Sequence, residues 1–268
     1  MTGTHHDSTA AEAGNLSARG PGPRAWLELV RAESRMVVRD TAGLLIPLGL
    51  PLLILVMNGM GAAGEAMPEL SGLTPLDVYV LPLVLTIVMS TIGVINMPSF
   101  LAYYRKSGIL RRLSVTPAHP VMVLVAQLVI SVAQTALGIT LCLLAGMLWF
   151  DLSLPRDVLG ALGVLALTAA AMYAVGMLIA ALSPTPNSSV AIGLVTFFAL
   201  GATGGLFGGT STLPEPVAQV GEVLPFGAAV QAMGGAWAGA GPESAHLLSL
   251  VVTVLVCGVL SARLFRWQ

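Results

Sequence analysis

The sequence predicts an all-α, polytopic membrane fold, and three observations carry that prediction. Hydrophobic residues make up 56% of the 268-residue chain and charged residues 9%, where a soluble domain carries about 25% charged residues to keep its surface wet. The apolar residues gather in six runs long enough to cross a hydrocarbon core, which takes roughly 20 residues of helix. Hydrophobicity within each run is continuous rather than alternating, so a closed barrel is excluded and the backbone must satisfy itself as helix.

In chain order, residues 1–23 are small and polar, lack the apolar core of a signal peptide, and read as a disordered cytoplasmic tail. Residues 24–40 read as an amphipathic helix at the cytoplasmic interface. At about 100° per residue, Arg24, Glu28, Arg31, Arg35 and Arg39 share one face, while Trp26, Leu29, Val30, Met36 and Val37 occupy the other. Glu33 falls on the apolar face, where a carboxylate favours a protein partner able to pair with it. Residues 41–268 form a six-span domain, with spans expected at 41–61, 76–100, 121–150, 158–182, 190–207 and 245–264. Asp77 and Arg263 fall at span rims, where side chains reach water.

Orientation follows from Lys and Arg. Of the twelve cations, Arg19, Arg24, Arg31, Arg35 and Arg39 precede the first span, Arg105, Lys106, Arg111 and Arg112 follow the second, and Arg263 and Arg266 follow the sixth. Only Arg156 falls on the other side, so the positive-inside rule predicts that both termini are cytoplasmic. The loop 103–118 is then cytoplasmic. Its cations alternate with Ile109, Leu110 and Leu113, and Gly108 with Pro117 and Pro120 bracket a short helix whose apolar side chains need something to bury against. The outer region 208–242 is apolar for a connector. Leu224, Phe226, Val230 and Met233 suit short re-entrant helices buried in protein, and Pro214, Pro216 and Pro225 cut the region into pieces too short to span.

Enzyme chemistry finds no support. His5 and His6 are in the tail, His119 and His246 are at span ends, and none has an acid or cysteine at ligand spacing. Cys142 and Cys257 lie inside spans as buried reduced thiols. A proton-coupled transporter wants an ionisable residue within a span, and the middles of these spans hold none. The single lysine, Lys106, lacks the glycine-rich approach of a P-loop, so any ATP-driven work requires another polypeptide. What the spans do hold is neutral polarity, including Asn58, Asn96, Gln127, Ser131, Gln134, Thr135 and Tyr173. Gln127, Ser131 and Gln134 form one stripe at i, i+4 and i+7. Such residues either bond neighbouring helices, each bond worth about 0.6–2 kcal/mol, or line a pathway together with Phe197 and Phe198. Gly201 and Gly205 favour close helix packing, within the chain or at a dimer seam.

Two stretches carry a resemblance. "RKSGILRRLSVTPAHP" resembles the cytoplasmic loop of ABC-2 type transporter permeases, and "GGLFGGTSTLPEPVAQVGEVLPFGAAVQAM" resembles the outer segment after the fifth span of the same family. Two departures are visible: no Glu precedes Gly108, and Gly208 rather than Pro follows Phe207. The resemblance implies a bacterial drug or antibiotic exporter membrane subunit in the cell inner (plasma) membrane, moving a hydrophobic or amphipathic, drug-like or lipid-like substrate outward. It implies separate ABC ATPase subunits carrying ATP and Mg, with no cofactor on this chain, and a second permease copy or paralogue in the bilayer. No nucleic acid partner is expected. On this reading Ile109, Leu110, Arg111, Arg112 and Leu113, with Arg31 and Arg35, meet the ATPase. Asn58, Asn96, Gln127, Gln134, Phe197 and Phe198 are candidates for the substrate path, and Phe207, Leu224 and Phe226 for an outer gate. The alternatives are export of a lipid-linked glycan or lipid, and a membrane anchor or assembly factor without transport. Aromatic residues at only 6% favour the drug or lipid reading over glycans, which stack on rings.

The charge asymmetry makes a testable statement. A cysteine placed at Asn15 is expected to stay shielded from an impermeant thiol reagent in intact cells while one at Ser153 is labelled. Labelling at position 15 from outside overturns the orientation.

Overall fold

The six apolar runs fold as six helices long and apolar enough to cross a membrane. The computed structural model describes residues 22–62, 64, 72–109 and 121–264, and every regular element among them is helical. In order these are α1 (Pro23–Arg39), α2 (Thr41–Ala62), α3 (Leu76–Lys106), α4 (Val121–Phe150), α5 (Val158–Leu182), α6 (Pro186–Thr203), α7 (Glu215–Val223), α8 (Pro225–Ala238) and α9 (Ser244–Leu264). A single 3₁₀ turn, Thr210–Thr212, stands between α6 and α7. The chain is a multi-pass membrane protein.

Two spans differ from their expected limits. α3 runs on past residue 100 to Lys106, because Tyr103 and Tyr104 continue the helix to a turn at Gly108, whose φ of 70° is the left-handed conformation that glycine adopts without strain. α6 lies earlier at both ends than 190–207. Thr185 and Ser188 form a reciprocal capping box, with each side-chain oxygen accepting from the other's backbone N–H at 3.2 and 3.0 Å, and Pro186 supplies the first helical turn.

The core is built around α3, of whose apolar window 72% is buried, against 22% for α2 and α6 and 11% for α9. Glycines explain this position. α3 contains two π-helical stretches, Leu76–Val80 and Thr91–Asn96, and the second carries Gly93. Gly176 of α5 packs against the Gly93 carbonyl, and a β-carbon on Gly193 of α6 would lie 2.6 Å from the Val94 carbonyl oxygen. Only bare backbone permits this approach on both sides of α3. Gly201 meets Leu206 of its own chain, and Gly205, at φ 92°, closes the turn after α6, so this pair packs internally.

At one end of the bundle, here the basic end, α1 docks along the membrane helices. Arg24, Glu28, Arg31, Arg35 and Arg39 are exposed, whereas Trp26, Leu29, Val30 and Met36 are half-buried and Val37 is buried. Glu33 is buried too, and its partner lies within the chain: the Tyr104 hydroxyl of α3 donates to its carboxylate at 2.6 Å. The external partner expected for Glu33 is therefore not needed. Val37, Phe100, Tyr104, Val123 and Ile130 form a small core of their own, with Ile109 packed on it. Arg105 donates to the Ser183 carbonyl at the C-terminal end of α5, a favourable place for a cation.

The opposite end is held by an acid as well. Asp77 is buried rather than water-facing at a rim, and it accepts from Thr74 N at 2.9 Å, Thr74 Oγ1 at 2.7 Å and Ser153 N at 2.8 Å. Ser153 in turn accepts from Trp237 Nε1 at 3.0 Å, which ties the start of α3 and the α4–α5 connection to α8. α8 is a short helix of 14 residues packed into the bundle. Phe226, Met233 and Trp237 lie in the bundle core, Pro225 opens the helix, and Gly239 at φ 79° ends it. Its neighbour α7 stays mostly at the surface.

Burial pushes the Glu33 carboxyl above the usual carboxylate range, and the Tyr104 hydrogen bond opposes that rise. A carboxyl with a higher pKa folded than unfolded binds more protons when folded. Its contribution to stability is therefore full below the unfolded value of 4.5 and declines as pH rises through the folded value. Glu33→Gln removes the charge but keeps an acceptor for Tyr104. The melting temperature of this variant relative to the natural chain is expected to rise between pH 4.5 and neutrality; a difference that shrinks over that range contradicts the account.

Candidate functional site

Proline inside a membrane helix leaves the carbonyl four residues earlier without its helical donor. Pro47 of α2 does this to Gly43, and two side-chain amides replace the missing N–H. Asn96 Nδ2 of α3 and Gln134 Nε2 of α4 each donate to the Gly43 carbonyl at 2.8 Å, and Asn96 Nδ2 also reaches Gln134 Oε1 at 3.3 Å. Farther along α4, Thr135 and the Ser131 carbonyl are engaged by α5. Thr135 Oγ1 lies 2.7 Å from the Tyr173 hydroxyl of α5, which donates to the Ser131 carbonyl at 3.1 Å. Gln127 is buried, and its Oε1 has no hydrogen-bond partner among the described residues.

Two cavities flank this knot along α3. The first, about 170 Å³, lies at the basic end between Gly43, Ile46 and Pro47 of α2, Thr91 to Ser99 of α3, and Val190 of α6, with Asp40 at its edge. The second, about 600 Å³, lies at the opposite end between Asn58 of α2, Tyr79 of α3, the glycine-rich turn after α6, and Gln231 of α8. Both lie beside α2 and α3, the first reaching Val190 of α6 and the second the turn that follows α6. From Tyr79 to Asn96 the helix rises by about 25 Å, close to the thickness of a hydrocarbon core. Between them α3 is almost entirely buried from Leu81 to Val94, so the two cavities are separate in this conformation.

The sequence-predicted path residues divide accordingly. Asn96 and Asn58 line the first and second cavities. Gln127, Gln134 and Phe197 are buried in helix contacts and line neither cavity. Phe197 stands edge-on to Phe226 with ring centroids 6.3 Å apart, while exposed Phe198 stacks with exposed Phe207, also at 6.3 Å. Phe226 is thus a core residue, and half-buried Leu224 is the extended link between α7 and α8. At the basic end Arg31 and Arg35 face outward, Arg31 pairing with Glu28 at 3.0 Å. Ile109 packs on the α1–α3 core, and Leu110, Arg111, Arg112 and Leu113 lie outside the described residues. Asp40, Thr91, Ser99, Tyr79 and Gln231 were not singled out from sequence. Asp40 had a signal: it is the one acid between five arginines and a span, three residues before a glycine, which is the spacing of a helix cap.

If Gln134 serves packing, Gln134→Leu should cost about 0.6–2 kcal/mol of stability, read as a lower melting temperature with an unchanged substrate profile. A changed profile at unchanged stability returns Gln134 to the path.

The family model described as "ABC-2 family transporter protein" matches residues 66–263. No curated protein matches the sequence significantly. The match covers five of the six membrane helices and both cavities' walls on α3, α6 and α8, most of the chain. On that extent of similarity the chain belongs to the ABC-2 transporter family, whose members are the membrane component of ABC transporters that work with ABC ATPase subunits.

Proposed function

We propose that this chain is the permease subunit of an ATP-driven exporter in the cell inner (plasma) membrane, with both termini cytoplasmic. It moves a hydrophobic or amphipathic, drug-like or lipid-like molecule outward along the groove over α3, and a second permease copy or a paralogue closes that groove. Support for the closure comes from the apolar faces of α2 and α6 that border it: Leu45, Leu53 and Met57 on one side and Val195 and Phe198 on the other are exposed in the single chain.

The observation that carries the coupling is the α1–α3 joint. Glu33, Tyr104, Val37 and Ile109 bind the interface helix, the end of α3 and the start of the loop 103–118 into one unit. A push on either part therefore reaches the most buried helix of the bundle. Arg31 and Arg35 and the loop residues Leu110, Arg111, Arg112 and Leu113 form the surface offered to the ATPase, with the two leucines as apolar anchors. Residues 24–40 act as a lever, 41–268 as the permease domain, and 208–242 as the outer lid. ATP and Mg belong to the partner.

Truncating an anchor residue of such an interface costs about 2 kcal/mol or more. Leu110→Ser with Leu113→Ser should leave the spans inserted, weaken co-purification of the ATPase and abolish transport. Arg111→Glu with Arg112→Glu should add a salt-sensitive loss, which Lys at both positions largely restores. Full transport and ATPase retention in the serine variant would reduce the loop to a topological anchor.

A further inference from the structure

The cavity at the basic end has an unusual polarity. Its hydrogen-bond donors are already engaged with the backbone: Asn96 Nδ2 on the Gly43 carbonyl, Thr91 Oγ1 on the Ile87 carbonyl at 2.8 Å, and Ser99 Oγ on the Asn96 carbonyl at 2.7 Å. The amide orientation of Asn96 is fixed by this, because its oxygen cannot face a carbonyl. What remains toward the cavity is acceptors. Asp40 Oδ1 caps α2 through Gly43 N at 3.0 Å, but among the described residues Oδ2 accepts no hydrogen bond and Asp40 forms no ion pair. Asn96 is only 8% exposed, and its Oδ1 likewise accepts no hydrogen bond among the described residues. Both oxygens lie within 3.1 Å of the point where a β-carbon on residue 43 would stand, too close to admit a side chain, so the two stand near each other as a cradle on the wall of the cavity that Asp40, Gly43 and Asn96 line.

We infer that this cradle binds the protonated amine of a cationic amphiphile. Among the described lining residues Asp40 alone carries a formal charge, and it is negative. A site without free donors rejects carboxylates, phosphates and sulfates, which need them, and accepts an ammonium, which donates three hydrogen bonds and accepts none. Ile46, Pro47, Ile95 and Val190 complete the wall and suit the alkyl or ring carbons next to the nitrogen. The inference deepens the exporter reading by naming a substrate class, and it rests on the groove being a substrate route. The same chemistry belongs to a soluble amphiphilic amine and to the headgroup of phosphatidylethanolamine.

The test uses the purified full chain in dodecyl maltoside micelles, which contain no amine. The probe is dansylcadaverine, a fluorophore on a short chain ending in a primary amine, compared by anisotropy with its neutral N-acetyl derivative. The amine should bind at least tenfold more tightly than the acetyl form. Asp40→Asn keeps a capping side chain for α2 while removing the charge, and should bring the two affinities within about twofold at an unchanged melting temperature. Equal binding of the two forms by the natural chain overturns the inference, even if the variant does not fold, and so does a preference retained in Asp40→Asn. Competition by added phosphatidylethanolamine assigns the amine to a bilayer lipid, and its failure to compete assigns it to a solute; both support the site. Because binding is measured without the ATPase, its failure leaves the exporter reading intact. Loss of ATPase-driven transport with amine binding preserved would count against export alone.

Discussion

The bundle depends on one carbonyl oxygen. Pro47 deprives the Gly43 carbonyl of its helical donor, and a buried carbonyl left unpaired is costly. Asn96 and Gln134 resolve that cost from two different helices, so α2, α3 and α4 meet at a fixed height and rotation. The rest of the basic end is registered on that point. Asp40, three residues before Gly43, ends α1 through its backbone N–H and starts α2 through its carboxylate, which sets the direction in which the interface helix leaves the membrane domain. The amides that hold the helices together are the same ones that leave the first cavity with acceptors only.

α3 runs through this structure as a strut with an acid at each end. Tyr104 near its C-terminus holds Glu33, and Asp77 near its N-terminus collects three donors from Thr74 and Ser153. Acids buried in this way are costly to leave unpaired, so each joint separates as a unit or not at all. The glycine contacts at Gly93, Gly176 and Gly193 leave little room for α3 to bend between its ends. On the proposed coupling, a displacement at the α1 joint would be passed along α3 toward the Asp77, Ser153 and Trp237 clasp on α8.

Much of this architecture was legible in the sequence, and what was not has identifiable causes. Continuous hydrophobicity located all six spans, and the turn prolines located the two short helices before α9, since both signals are local. The limits of α3 and α6 depended on Gly108 and on a Thr185–Ser188 cap, features that a hydrophobicity window does not weigh. From the sequence, Glu33 on the apolar face favours a separate protein partner, and the structure replaces that partner with one inside the chain. That the partner is Tyr104, 71 residues away, is a tertiary fact. The polar stripe on α4 could be read as packing or path because the deciding group was a backbone oxygen on another helix. Pro47 was the available signal, for a proline in a helix interior frees the carbonyl four residues earlier, and a polar side chain of a neighbouring helix is one way to satisfy it.

The two cavities differ in a way that bears on direction. The one at the basic end offers a carboxylate and an amide oxygen. The larger one at the opposite end is lined by neutral groups, including Asn58, Tyr79, Thr210, Ser211 and Gln231, with no acid or cation among them. A charged amphiphile held by Coulomb attraction in the first site would find weaker, neutral hydrogen bonds and more space in the second. On the proposed exporter reading, an amphiphile passing from the first site to the second leaves a tighter site for a looser one, which is uphill by itself. ATP hydrolysis in the proposed partner would therefore have to weaken the first site as well as open the buried stretch of α3 between Leu81 and Val94.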